Sequence, residues 1–151
     1  MSDKTYRPCV VGVFIDEDGK VLVGRRKKFP SWQFPQGGVD AGETHAQALF
    51  REMREEVGVM QFTILEELPE TLRYDFPSDL AAPIAKKYRG QEQKWFLCRL
   101  AAGATADLSV ATDDEFVELK WTAPEEVIAQ IIPFKLEIYQ QALSKFKLLK
   151  K

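Results

Sequence analysis

Three glutamates within five residues, Glu52, Glu55 and Glu56, are the side chains of this sequence best placed to do chemistry. Glu43 precedes them, and Arg51 and Arg54 are interleaved with them. On a helix turning about 100° per residue, Glu55 and Glu56 fall within about 60° of Glu52, one on each side. Like charges at this spacing repel by a few tenths of a kcal/mol per pair, roughly. The two arginines offset part of that, and a bound divalent cation would offset far more. Carboxylates with almost no cysteine or histidine nearby suit a hard ion, Mg²⁺ or Mn²⁺, rather than zinc. A solvated helix rich in Glu and Arg is the other reading, and the helix alone does not separate the two.

For the carboxylates to share a face, residues 44–57 must be helical, and the local sequence signals this. Thr44 and Gln47 have capping-box spacing. Ala46, Leu49, Phe50, Met53 and Val57 form an apolar stripe, and Gly58 supplies the stop. Upstream, residues 10–15 and 21–23 read as strands joined by turn chemistry at Asp16 to Gly19, so the pair is expected as a hairpin. Pro30, Pro35, Gly37 and Gly38 then predict loop, with a short extended piece at 32–34. Downstream, residues 62–68, 71–76, 94–100 and 116–121 read as strands, and 77–90 as loop. Pro124 opens a helix, and Ile138, Tyr139, Ala142, Leu143, Phe146 and Leu149 mark a terminal amphipathic helix. The expected fold class is α+β, with a mixed sheet between helices.

Size and composition agree with that. The chain has 151 residues, 45% hydrophobic and 29% charged, which fits one globular domain over 1–151 with a core needing no staples. Its longest uncharged apolar run, 9–15, is too short to span a bilayer. The polar start lacks a secretion signal's apolar segment, so a cytoplasmic location away from membranes is expected. Cys9 and Cys98 sit in apolar runs and are expected as buried, reduced thiols. The net charge of −2 argues against a broad electrostatic grip on duplex DNA. Basic clusters at Arg25-Arg26-Lys27-Lys28, at Lys86-Lys87 with Arg89, and at Lys145, Lys147, Lys150 and Lys151 each read, taken alone, as solvated faces.

The loop before the helix sharpens the picture. Gly37, Glu43 and Arg51-Glu52-Met53-Arg54-Glu55-Glu56-Val57-Gly58-Val59 fit G-x5-E-x7-R-E-U-x-E-E-x-G-U, with U apolar. A chance match at all nine constrained positions is on the order of 10⁻⁷ or rarer. This is the Nudix box, and the chain resembles the Nudix hydrolases, which split diphosphate linkages with a divalent metal and water. The resemblance implies an α/β/α sandwich. It also implies metal ligation by Glu52, Glu55 and Glu56, with the Gly37 carbonyl as a further ligand. Arg51 would orient the carboxylates, and Glu43 would brace the loop through a salt bridge to Arg51. Gly37 and Gly38 would permit an unusual backbone and close approach to the metal.

Outside the box, Tyr6-Arg7-Pro8, Arg25-Arg26, Ser31 to Gly38, Leu72-Arg73-Tyr74, Gly90 to Phe96, Glu115-Phe116 and Phe134-Lys135 are similar to the bacterial RNA pyrophosphohydrolases. These remove pyrophosphate from 5′-triphosphorylated RNA and promote mRNA decay. The motifs are shared with the dinucleoside polyphosphate hydrolases, which cut diadenosine tetraphosphate asymmetrically. The resemblance implies that Glu115 is a further metal ligand or water-activating carboxylate, although alone it reads as an acidic turn residue. Arg7, Arg26, Tyr74, Gln93 and Lys94 become candidates for phosphate contacts. Ser31, Phe134 and Lys135 become candidates for holding a base, with Phe134 equally readable as core. Trp32 and Trp95 read as core, and His45 is given no role. Residues 77–89 depart from the pattern; they are expected to line the substrate cleft, so the resemblance leaves substrate preference open there. The expected substrate is 5′-triphosphorylated RNA. A dinucleoside tetraphosphate, free nucleoside triphosphates, or a non-catalytic nucleotide- or RNA-binding role are alternatives, for a monomer or homodimer.

Overall fold

The computed structural model describes residues 4–27, 31–113 and 115–149. Residues 1–3, Lys28 of the first basic cluster, Pro30, Asp114 and the terminal Lys150 and Lys151 lie outside them. The strands are β1 (Tyr6–Phe14), β2 (Val21–Arg26), β3 (Trp32–Gln33), β4 (Gln36–Gly38), β5 (Phe62–Glu67), β6 (Leu72–Asp75), β7 (Gly90–Leu100) and β8 (Phe116–Thr122). The helices are α1 (His45–Val57), α2 (Ile84–Lys87), α3 (Pro124–Gln130) and α4 (Leu136–Lys145).

Strand β1 is apolar on both faces because it lies at the centre. Val10 and Phe14 face one core layer with Leu49 and Met53 of α1, and Val11 and Val13 face the other with Ile138, Tyr139 and Leu143 of α4. A strand covered on both sides reads as a continuous hydrophobic run rather than an alternating one. The result is an α+β molecule with a mixed sheet between α1 and the α3–α4 pair. Sheet order is β4-β1-β7-β5, with β6 on the first half of β7; β1 and β7 run parallel and the other pairs antiparallel. A second antiparallel sheet has order β3-β2-β8. Cys9 and Cys98 are buried free thiols, and burial pushes them up to about 11 and about 12.

Several sequence expectations need correction. β1 and β2 do not form a hairpin: both flanks of β1 are taken by β4 and β7, so β2 joins the other sheet, and a single bridge, Ile15 to Val21, links the two strands. The Pro- and Gly-rich stretch read as loop contains β4, which packs against α1 beside β1. The 77–90 stretch contains α2, and β7 begins at Gly90, before the apolar run, because its first residues pair with β6. α4 stops at Lys145, short of the apolar pattern, and Lys147 follows in the left-handed region at φ 62°. Leu148 and Leu149 still pack against the core after the helix has ended.

Candidate active site

Helix α1 begins with the capping box expected of it: Thr44 Oγ1 accepts from the Gln47 N–H, and Gln47 Oε1 accepts from the Thr44 N–H. It ends at Gly58, left-handed at φ 66°. Two of its glutamates, Glu52 and Glu56, are buried. Arg51 ties the acidic groups together. Its Nε and Nη2 donate to the two oxygens of Glu43 at 2.8 and 2.9 Å, and its Nη1 donates to Glu52 at 2.7 Å and Glu55 at 3.1 Å. Nη2 also donates to the Gly38 carbonyl at 2.8 Å, fixing β4 against the helix. Only a planar guanidinium offers this many donors in fixed directions. Arg51 and the Asp40 N–H hold the Glu43 carboxyl down at about 2.

Burial pushes Glu52 above its usual range, against the pull of Arg51. Glu56 is pushed well above it by burial, and Glu52, Glu115 and Asp113 add to that, while a 2.9 Å hydrogen bond from the Gln36 N–H opposes it. Carboxyl oxygens of Glu52, Glu55 and Asp113 lie within 4.8 Å of one another, a donor set suited to a hard cation. Asp113 was not singled out by its residue pattern as a ligand. It reaches the cluster because its main-chain N–H donates to the Glu55 carbonyl at 2.8 Å, pinning the 111–113 turn to the end of α1. Burial, then Glu55 and Glu115, raise its carboxyl.

Glu52 and Asp113 of this set line a cleft of about 400 Å³, within the range of small-ligand sites. Glu56, Glu115 and Gly37 line it as well. Glu115 accepts from Arg26 Nη2 at 2.8 Å. Arg7, Arg26, Ser31 and Lys135 line it too, with Tyr74 and Phe134. Arg7 has no ion pair or hydrogen bond within the described residues. Lys135 is 6% exposed, donates to Gln33 Oε1 at 3.2 Å, and is pushed down to about 8 by burial and by Arg26. Phe134 combines both expected placements, packing against the core and against Tyr74 (centroids 5.9 Å apart) while lining the cleft. Leu80, Ala82, Pro83 and Ile84, from the 77–88 segment, also line the cleft.

Two candidates for phosphate contact are placed elsewhere. Gln93 is 1% exposed, and its amide is bonded to Gln36, Gln91 and Trp95 beneath the cleft. Lys94 points to the opposite face of β7, where its Nζ meets the Pro69 carbonyl and the Glu67 carboxylate, both at 3.2 Å. Adjacent strand residues face opposite ways, so the two could not both have lined one cleft. Gln91, on the face of Gln93, does line it, as does Gln36. The glycine expectation also changes. Neither Gly37 nor Gly38 has positive φ. What they supply is room: a Cβ on Gly37 would stand 1.9 Å from the Glu52 carboxyl, and one on Gly38 2.6 Å from Arg7 Nη2.

Residues 5–142 match the NUDIX domain. The chain belongs to the Nudix hydrolase family. It is similar to the RNA pyrophosphohydrolase of Erythrobacter litoralis, 39% identical over 96% of this chain and 93% of the relative. The RNA pyrophosphohydrolase of Novosphingobium aromaticivorans is 41% identical, over 94% and 92%. Among solved structures, the MutT protein from Methanosarcina mazei superposes with a TM-score of 0.71 at 16% identity, covering 97% of this chain and 99% of that one. The Ap4A hydrolase of Caenorhabditis elegans superposes at 0.62 and 22% identity, covering 95% and 99%. At these identities the structures establish the shared Nudix fold. Among the described residues no helix is long and apolar enough to cross a membrane.

Proposed function

We propose that this Nudix hydrolase is an RNA 5′-pyrophosphohydrolase, converting 5′-triphosphorylated RNA to 5′-monophosphorylated RNA and so promoting mRNA decay in the cytoplasm. The observation that carries the RNA substrate is the identity of about 40%, over more than nine-tenths of both chains, to relatives named for that reaction. The cleft supports it chemically. A polyphosphate is anionic along its length, and here Arg7, Arg26 and Lys135 line the same cleft as carboxylates that a cation would bridge to phosphate.

Glu52, Glu55 and Asp113 would hold a divalent ion, Mg²⁺ or Mn²⁺, and Glu56, Glu115 and Gly37, which line the cleft, would supply further ligands, Gly37 through its carbonyl. When bound, such an ion neutralises phosphate charge and acidifies water. The chain's own residues do the rest. Arg7 and Arg26 bind phosphate oxygens and set the chain in line. Glu56, with Oε1 fixed by the Gln36 N–H and its affinity for protons raised by burial, takes the proton of the attacking water on Oε2. The anhydride bond between the α and β phosphates breaks, the water oxygen ends on a product phosphate, and pyrophosphate leaves. Phe134 stacks on a base, and Ser31 and Lys135 hold its edge.

A competition assay tests the substrate. With equal concentrations of 5′-triphosphorylated RNA and diadenosine tetraphosphate, the RNA is converted to its monophosphate while the dinucleotide is largely spared. The reverse preference would overturn the RNA reading. A pH profile tests Lys135. As pH rises through about 8 its Nζ loses its proton and the site loses a cationic donor, so kcat/KM for the RNA falls, and Lys135→Met flattens that limb. Equal profiles for the two proteins would remove Lys135 from the binding site.

A further inference from the structure

Beneath the cleft lies a group of amides whose orientation can be reasoned out from one indole. Trp95 is fully buried, and its Nε1 is 3.1 Å from Gln93 Oε1. An indole N–H only donates, so the Gln93 oxygen must face it. The Gln93 NH₂ therefore faces the other way, where it meets Gln36 Oε1 at 2.7 Å and Gln91 Oε1 at 2.9 Å. Both of those residues must present oxygen to it. Tyr74 completes the set by donating its hydroxyl to the same Gln91 oxygen at 3.0 Å.

The consequence falls on the other end of each amide. With their oxygens turned down, Gln36 and Gln91 turn their NH₂ groups away from the core. Neither NH₂ has a hydrogen-bond partner among the described residues. Gln91 is only 3% exposed, yet no buried side-chain nitrogen or oxygen among the described residues lacks a partner, so its amide nitrogen opens onto the cleft it lines. Had Trp95 been an acceptor, Gln93 could flip, and the two cleft amides could flip with it to show oxygens. Oxygens on that floor would repel phosphate.

We propose that the Trp95 N–H, acting through Gln93, locks the carboxamides of Gln36 and Gln91 with their NH₂ groups toward the cleft, where they donate to the oxygens of a phosphate chain. Trp95 and Gln93 are positioning residues, since neither lines the cleft. The network has a second output at the same place: the Gln36 main-chain N–H holds Glu56 Oε1, so the residue that Gln93 anchors also fixes a wall carboxylate. The inference rests on the cleft taking a phosphate chain, the part of the proposed function that does not depend on RNA.

Inorganic pyrophosphate with Mg²⁺ is therefore the probe, with binding measured by calorimetry. Trp95→Phe keeps a buried ring and removes the N–H; it weakens pyrophosphate binding about tenfold, the scale of one lost neutral hydrogen bond. In the Gln36→Met/Gln91→Met background the same substitution changes binding less than about twofold, because the groups it acts through are gone. An equal factor in both backgrounds would show a purely structural effect and overturn the proposal, as would unchanged binding in the parent. A second measurement needs no Trp95 variant. In ¹⁵N-labelled wild-type protein, pyrophosphate shifts the side-chain NH₂ resonances of Gln36 and Gln91 and leaves that of Gln93 in place. Movement of Gln93 alone would mean that the amides run the other way. Loss of RNA hydrolysis with these pyrophosphate results intact would sink the RNA substrate and leave the relay standing.

Discussion

Glu56→Gln lowers kcat by about 10²–10⁴-fold, the range of a lost proton-transfer group, while raising the melting temperature of the protein in EDTA. The two effects share one cause. Glu56 is buried, and burial places its folded pKa well above the ordinary 4.5. Between those values the unfolded chain holds fewer protons than the folded one, so stability falls as pH rises from about 4.5 through the folded pKa, and the full penalty applies above it. Glutamine keeps an oxygen for the Gln36 N–H, which now donates to Glu56 at 2.9 Å, and carries no charge to desolvate. The melting-temperature gap between variant and wild type is therefore wide at pH 8 and closes as the pH is taken down toward 5. Thermal melts in EDTA at the two pH values and steady-state turnover in Mg²⁺ check both halves. A variant that is less stable and less active would mean that Glu56 supports the fold rather than the chemistry. A stabilised variant with wild-type turnover would remove it from the reaction.

That carboxylate was legible in the sequence because its setting is local. The spacing of Glu52, Glu55 and Glu56 on one helix, the Thr44–Gln47 cap and the Gly58 stop are all contained within residues 44–58, and the structure shows each capping bond. The Glu43–Arg51 salt bridge spans eight residues and was also within reach. What the sequence hid depends on partners far along the chain. Asp113 joins Glu52 and Glu55 only because a main-chain bond to the Glu55 carbonyl folds the 111–113 turn onto α1. β1 looked like half of a hairpin with β2, but its neighbours come from 36–38 and 90–98. Gln93 and Lys94 both read as phosphate contacts from their motif, although alternation along one strand sends them to opposite faces. The polarity of the Gln91 amide lies beyond the sequence in any case, since it is set by a tryptophan four residues on, acting through Gln93, and by Tyr74 on another strand.

Gly37→Ala removes at least about 10²-fold of the activity and leaves the fold in place, the pattern expected of a preorganised charged group moved by one atom's width. The cause is a lack of space. Gly37 lies on β4, paired with Val10, and its φ is not positive, so alanine can adopt its backbone without strain. The new methyl carbon, however, would sit 1.9 Å from both the carboxyl carbon and Oε2 of Glu52. Something must give, and the side chain can swing where the strand cannot. Glu52 is held by Arg51 Nη1 at 2.7 Å, and moving it away breaks that bond and pulls one corner from the set it forms with Glu55 and Asp113. The Mg²⁺ concentration needed for half-maximal activity therefore rises along with the loss in kcat, while far-ultraviolet circular dichroism stays as in the wild type. Glu52→Gln in the Gly37→Ala background then costs far less than in the parent, because the displaced carboxylate has already left the set. Full additivity of the two substitutions, or near-wild-type turnover in Gly37→Ala, would show that the close approach of β4 to Glu52 is packing without consequence for the reaction.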